Sequence, residues 1–226
     1  MAALTKEKST ACNTKNVEYD INKVPLIISA IMNLSVTIMS LIGLVIHFQK
    51  SGLKMLILYT IDSNILGGIA CFIAAVFTLR QIINNKPLPK RVSMLKYIST
   101  CCLCVTFFVV LFILAPTNGT DGFTEMFFRN DLLFHHLLCP LVSILSLLLF
   151  DKVPFKPITS ALIALIPTAF YAEITIILNI THVAEGPYPF LLVCQQPIYI
   201  SILWFFIIFS GAFVISLILS KIKQTK

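Results

Sequence analysis

The sequence predicts an all-α, multi-pass membrane protein: a single integral membrane domain of six transmembrane helices with both termini in the cytoplasm. The 226 residues are 58% hydrophobic and only 12% charged, with a mean hydropathy of +0.92, whereas soluble domains contain about 25% charged residues. Six apolar segments each approach the roughly 20 residues that a bilayer-spanning helix needs. They cover residues 25–48, 54–79, 96–115, 131–150, 158–180 and 198–220. Because little sequence lies outside them, a soluble catalytic domain is excluded.

The basic residues set the predicted orientation. Fourteen of the 17 Lys and Arg residues lie in the polar tail 1–23, the 80–96 loop, the 151–157 loop and the C-terminal end. With six spans these regions share one face, which the positive-inside rule makes cytoplasmic in a cell membrane. The tail lacks the features of a signal peptide, so we expect the first span to be retained. The net charge of +7 is then a topology signal, attracting at most anionic lipid head groups, and indicates no nucleic-acid partner.

The second span follows the first after a short turn, so the two are expected to be antiparallel neighbours. It is unusual because Thr60, Asp62, Ser63 and Asn64 fall within five positions of an apolar segment. Thr60 and Asn64 share one helix face, whereas Asp62 points to the other side. Single polar groups in a span often only hold helices together. An acid in a span costs roughly 2.5–3.5 kcal/mol on insertion scales, however, and the cluster indicates a functional site.

The third span is the least polar and is expected to act as scaffold. Three of the seven cysteines lie in it, and none of the seven shows the paired spacing of a zinc site. We therefore expect buried, small hydrophobic cysteines, with no metal and no cofactor.

The fourth span places two histidines near its outer end. Pro140 removes the hydrogen bond to the carbonyl of His136, which predicts an irregular, more open helix there. Asp131 lies one turn before His135, where its carboxylate could orient that imidazole. The pair is a candidate source of a general base.

The fifth span contains Pro167 and a second intramembrane acid, Glu173. The apolar and aromatic loop that follows, THVAEGPYPFLLVCQQP, could fold over the bundle as a lid, provided that protein satisfies its backbone. Trp204 in the last span fits an interfacial aromatic belt. The polar groups of three spans thus share the predicted outer half of the bundle.

These residue types suit nucleophilic catalysis. A threonine hydroxyl is a weak nucleophile that needs a base, and a neutral histidine can accept its proton. The Asn64 amide, one turn below Thr60, could donate to a developing oxyanion. Spacing alone does not choose between the two histidines.

At three motifs the sequence resembles a known family. YTIDSN in the second span, His-x3-Pro in the fourth and YPF in the last outer loop are similar to Thr-Ile-Gln-Ser-Asn, His-x3-Pro and Tyr-Pro-Phe of an uncharacterised bacterial six-span family. That family is similar to the eukaryotic androgen-inducible and androgen-dependent TFPI-regulating membrane proteins, which hydrolyse fatty acid esters of hydroxy fatty acids. The resemblance implies Thr60 as nucleophile. It implies His136 as base by the bacterial pattern, or His135 by the eukaryotic count from the proline. The chain departs from the pattern at Asp62, where the family has Gln, and at Leu145–Ser146, where an acid often follows.

The sequence therefore predicts an intramembrane lipid-ester hydrolase whose partners are membrane lipids, with fatty acyl esters as candidate substrates. The alternative is a lipid-binding or transport protein that uses the same polar pocket without catalysis. A channel is disfavoured because no span carries a continuous polar stripe. The residues expected to act are Thr60, His136 and His135 as catalytic groups, with Asn64, Ser63, Asp62 and Glu173 at the substrate or oxyanion.

Overall fold

The computed structural model describes residues 23–224, and within that range six helices are long and apolar enough to cross a membrane. The predicted fold class, a multi-pass helical membrane protein, is confirmed. The cytoplasmic placement of the termini stays a prediction. Residues 1–22 of the predicted tail lie outside the described range. The helices are numbered in chain order as α1 (Lys23–Ser51), α2 (Tyr59–Asn84), α3 (Lys90–Thr117), the short α4 (Gly122–Phe128), α5 (Asn130–Phe150), α6 (Pro157–Ile180) and α7 (Ile198–Gln224).

Helix α3 lies at the centre of the bundle and packs against α2, α5, α6 and α7. Helices α1 and α2 are antiparallel neighbours, as predicted, and α1 also packs against α5. Small residues on α2 allow this close approach. A Cβ on Gly68 would lie 3.0 Å from the Ser40 Oγ of α1, and one on Gly67 would lie 2.9 Å from a Leu103 methyl group of α3.

Prolines mark irregular turns in three helices, and in α3 Pro116 follows the π-helical turn Val110–Leu114. The turn Leu133–Leu138 of α5 is π-helical and ends just before Pro140, which has no N–H to give the carbonyl of His136. In α6, the segments Pro157–Ala164 and Ile166–Ile180 are separated at Leu165, two residues before Pro167. The irregularity expected around His136 is therefore present, in the form of a widened helical turn.

The start of the third span differs from the prediction. Helix α3 begins at Lys90, six residues earlier than expected, so assigning Lys96 to a cytoplasmic loop was wrong. Lys96 is fully buried, with its Nζ 2.5 Å from an Asp151 carboxylate oxygen and 2.6 Å from the Ser146 hydroxyl. These partners replace water around the ammonium group, which lets a lysine enter the helical core.

One end of the bundle is closed by the 3-10 turn Gly52–Ile57, by α4 and by the loop 181–197; we call it the site face. The loop is attached to α6, because the Cys194 N–H donates to the Asn179 Oδ1 at 3.2 Å. Its Tyr188 ring stacks on Phe190 with a centroid distance of 5.2 Å, and Phe190 contacts Trp204. The loop thus folds onto the bundle with buried side chains of its own.

Candidate active site

Thr60 lies in the first turn of α2 on the site face and is 7% exposed. The helix starts at Tyr59 because Leu58 is extended, with φ −91° and ψ 123°. First-turn N–H groups have no partner within their own helix. The Thr60 N–H donates instead to the hydroxyl oxygen of Tyr188, at 3.3 Å.

The Thr60 hydroxyl has two side-chain neighbours. Its Oγ1 is 3.4 Å from the Nε2 of His136 and 3.4 Å from the hydroxyl of Tyr188. All three residues are buried. They come from α2, from the π-helical turn of α5 and from the loop, so the site assembles groups far apart in sequence.

The other ring nitrogen of His136 fixes the direction of these hydrogen bonds. Nδ1 lies 2.7 Å from the backbone carbonyl of Met126, and a carbonyl can only accept. The proton of a neutral His136 is therefore on Nδ1, and Nε2 presents its lone pair to Thr60. The Thr60 hydroxyl can donate to that lone pair while Tyr188 donates to the Thr60 Oγ1.

His135 occupies a different environment. It is fully buried, its ring nitrogens have no hydrogen-bond partner among residues 23–224, and it packs against Gly43 of α1. The expectation that Asp131 orients His135 was wrong. The Asp131 carboxylate is 2.6 Å from the Nδ1 of His47 and forms an ion pair with Lys50, both on α1. The imidazole that faces Thr60 is thus that of His136, while His135 faces α1.

The Asn64 amide is already engaged. Its Nδ2 donates to the backbone carbonyl of Thr60 at 2.8 Å and to that of His135 at 3.2 Å. Both amide hydrogens are used, and none remains for an oxyanion in this geometry. Ser63 also faces protein, because its Oγ lies 3.0 Å from the Thr60 carbonyl and 2.8 Å from the Thr106 hydroxyl. Both residues tie α2 to its neighbours, one turn below Thr60.

The two acids expected near the site lie elsewhere. Asp62 is half-buried on the opposite side of α2 from Thr60 and lines a second cavity, between α2 and α6. Glu173 is exposed on the outside of α6. The structure does not bring either carboxylate to the Thr60–His136 pair.

Thr60 and Tyr188 line a narrow apolar cleft of about 90 Å³ between α3, α6, α7 and the loop. Its α3 wall runs from Val105 to Leu114, which is about 14 Å at 1.5 Å per residue. Phe205 lines the cleft and is also 49% exposed on the bundle surface. The cleft therefore reaches the surface that faces lipid. Further lining side chains are Val109, Val110, Ala172, Ile176, Leu191, Trp204, Ile208 and Phe209.

Tyr188 had no assigned role in the sequence-based prediction, although its motif YPF was noted. Burial raises the pKa of its hydroxyl, so the group stays protonated and can donate at neutral pH. The sequence does show an aromatic loop next to a polar span. The position of a loop in the sequence does not reveal, however, which of its aromatic rings enters the bundle.

Within residues 23–224, no group of three or more His, Cys, Asp or Glu side chains is arranged to hold a metal ion. Comparison with known proteins gives no identification: no family model, no curated protein and no solved structure matches the chain.

Proposed function

We propose that this protein is an intramembrane lipid-ester hydrolase in which Thr60 is the nucleophile and His136 the general base. The observation that carries the proposal is the pair of contacts made by the His136 ring, from which its tautomer follows. Its Nδ1 proton is held by the Met126 carbonyl, and its Nε2 lies 3.4 Å from the Thr60 Oγ1. Such hydrogen bonds are often long without substrate and shorten in the complex.

In the proposed reaction, the Nε2 of His136 takes the hydroxyl proton as the Thr60 oxygen attacks the ester carbonyl carbon. The tetrahedral intermediate then expels the alcohol, which receives the proton from His136, and an acyl-Thr60 ester remains. Water attacks that ester with His136 again acting as base, which releases the fatty acid and restores the hydroxyl. Overall, one ester and one water yield one acid and one alcohol.

Tyr188 is the proposed donor to the oxyanion. Its hydroxyl is the donor beside Thr60 that is free to turn, because both amide hydrogens of Asn64 are held by backbone carbonyls. When the carbonyl oxygen becomes negative, the Tyr188 O–H can move from the Thr60 oxygen to it. Loss of one such donor typically costs about 10²–10³-fold in turnover.

The cleft supports a lipid substrate. An acyl chain can enter from the leaflet next to the site face, which is the outer leaflet in the predicted orientation, and lie along the Val105–Leu114 wall of α3. An apolar cleft of this kind favours an ester with a hydrocarbon chain over a short, polar ester.

The test is hydrolysis by the purified protein in detergent, with a fluorogenic ester offered in acetyl and longer acyl forms. Thr60→Ala and His136→Ala should each abolish hydrolysis, and the double variant should lose little more, because the two residues act as a unit. Thr60→Ser should keep part of the activity. Thr78→Ala is the matched control, because Thr78 is equally buried on α2 but bonds only the Ala74 carbonyl.

The same cleft favours one alternative, a protein that binds or carries lipid without cleaving it. A fluorophosphonate probe separates the two functions. Labelling of wild type but not of Thr60→Ala supports the hydrolase. A folded wild type that binds lipid, resists the probe and hydrolyses none of the esters supports the alternative. Full hydrolysis by Thr60→Ala would refute the assignment of the nucleophile.

A further inference from the structure

The second cavity lies between α2 and α6, on the side of α2 turned away from Thr60. It has a volume of about 340 Å³ and is lined by one charged side chain, that of Asp62. Among residues 23–224, no hydrogen-bond donor or cation contacts the Asp62 carboxylate; the structure gives it neither a hydrogen bond nor an ion pair. An unpaired acid in a membrane helix is costly, and such residues usually serve a function.

Apart from Ser63 and Thr175, the side chains that line the cavity with Asp62 are aromatic or apolar. Tyr59, Phe170 and Tyr171 line the cavity, and the two tyrosine rings meet edge to face at 5.0 Å between centroids. Both tyrosine hydroxyls are fixed, the first beside the Thr168 hydroxyl at 2.7 Å and the second donating to the Ile57 carbonyl at 2.7 Å. Their rings are therefore held in place before any ligand arrives.

A carboxylate among fixed aromatic rings has the chemistry that recognises an ammonium group. The charge pairs with the carboxylate, and the ring faces attract the cation through their quadrupoles. An anionic head group, such as that of a fatty acid, would instead be repelled by Asp62. Charge complementarity thus selects a cation as the occupant.

Deeper than Asp62, the cavity continues along Leu66, Cys102 and Pro167, none of which carries a charge. Asp62 is in the first turn of α2 at the site face, and Leu66 is one turn further into the bundle. An amphiphile with its head at Asp62 would therefore direct its hydrocarbon chain toward the middle of the bundle, as lipid chains run in a leaflet.

We infer that this second cavity is a binding site for a single-chain amphiphile with an ammonium head group, held by Asp62 and the rings of Tyr59, Phe170 and Tyr171. Tyr59 and Tyr171 line both this cavity and the cleft beside Thr60. The inference does not depend on ester hydrolysis, because the Asp62 carboxylate lies on the other side of α2 from the Thr60 hydroxyl.

The test uses a long-chain alkylammonium probe with a photoreactive diazirine in its chain, added to the purified protein in an uncharged detergent. The probe should label peptides of α2 and α6, and Asp62→Asn should weaken its binding about tenfold or more, the expected scale for one lost charge-assisted contact. Thr60→Ala should bind as wild type. Glu173→Gln is the matched control, because it neutralises an acid of α6 that is exposed outside the cavity.

A second probe, with the same chain ending in an alcohol, should bind more weakly than the ammonium probe and equally to wild type and Asp62→Asn. If Asp62→Asn does not fold, Leu66→Trp tests the site by filling it while keeping the carboxylate, and should also reduce labelling. Equal binding of the ammonium probe to wild type and Asp62→Asn would overturn the inference, as would binding of the alcohol probe as tightly as the ammonium probe. Undiminished labelling of Leu66→Trp would do the same.

Discussion

Replacing Gly43 with alanine is a sharp test of how His135 is packed. A Cβ at this position would lie 2.7 Å from Cε1, 2.9 Å from Nε2 and 3.1 Å from Nδ1 of the His135 ring. The ring is fully buried, so the whole imidazole or the α1 backbone must move. Overpacking of this kind typically costs about 1–3 kcal/mol.

The helix itself gains from the same change, because glycine within a helix is about 0.5–1 kcal/mol less favourable than alanine. Gly43→Ala should therefore lower the free energy of unfolding by roughly 0–2.5 kcal/mol, the difference between the packing cost and this gain. In a His135→Ala background the clash is gone and only the gain remains. The double-mutant cycle should yield a coupling energy of about 1–3 kcal/mol.

Unfolding by SDS in mixed micelles, followed by circular dichroism, measures these free energies. Gly211→Ala is the control, because a Cβ there meets nothing within 4 Å in the middle of α7. That variant should be unchanged or slightly more stable. A coupling energy below about 0.5 kcal/mol, the usual scatter for independent sites, would refute the packing of His135 against Gly43. If His136 is the base, His135→Ala should also keep most of the ester hydrolysis.

Two further predictions concern the buried ion pair and the orientation. Lys96→Met should cost about 3–5 kcal/mol of stability, because it leaves the Asp151 carboxylate buried without a partner. Adding Asp151→Leu removes that unpaired charge and should recover most of the loss. Glu125→Gln, which breaks an exposed pair at 3.5 Å, should change stability by less than about 1 kcal/mol. For the orientation, a cysteine placed at Asn118 should react with a membrane-impermeant reagent in intact cells, and one at Asn85 should not. The reverse pattern would put the site face in the cytoplasm.

The bundle could be predicted from the sequence because lipid imposes a simple rule on it: each span must be long, apolar and helical. Helical periodicity also predicted correctly that Thr60 and Asp62 lie on different sides of α2, because successive residues of an α-helix are rotated by about 100°. The same reasoning failed at Lys96. A lysine near a predicted helix end resembles a loop residue until its carboxylate partner is known, and Asp151 is brought to it only by the tertiary fold.

The sequence could likewise not determine which of the two histidines faces Thr60. His135 and His136 are adjacent, and a regular helix would turn them about 100° apart without saying which one meets α2. The π-helical turn before Pro140 changes that angle, and its widening is a property of the folded helix. The contact of Tyr188 with Thr60 depends on the path of an irregular loop, which has no regular periodicity from which its side-chain directions could be predicted.

The site residues share a structural origin, because each lies where regular helix is interrupted. Thr60 begins a helix, His136 is in a π-helical turn and Tyr188 is in a loop. Such interruptions free backbone groups that hydrocarbon cannot satisfy, so protein must do so. Tyr188 accepts from the free Thr60 N–H, and Asn64 donates to the carbonyl of His135 in the π-helical turn. Asn64 thus stabilises the interrupted turn of α5. In the proposed reaction this leaves Tyr188, whose hydroxyl can turn, as the polar group that follows the ester.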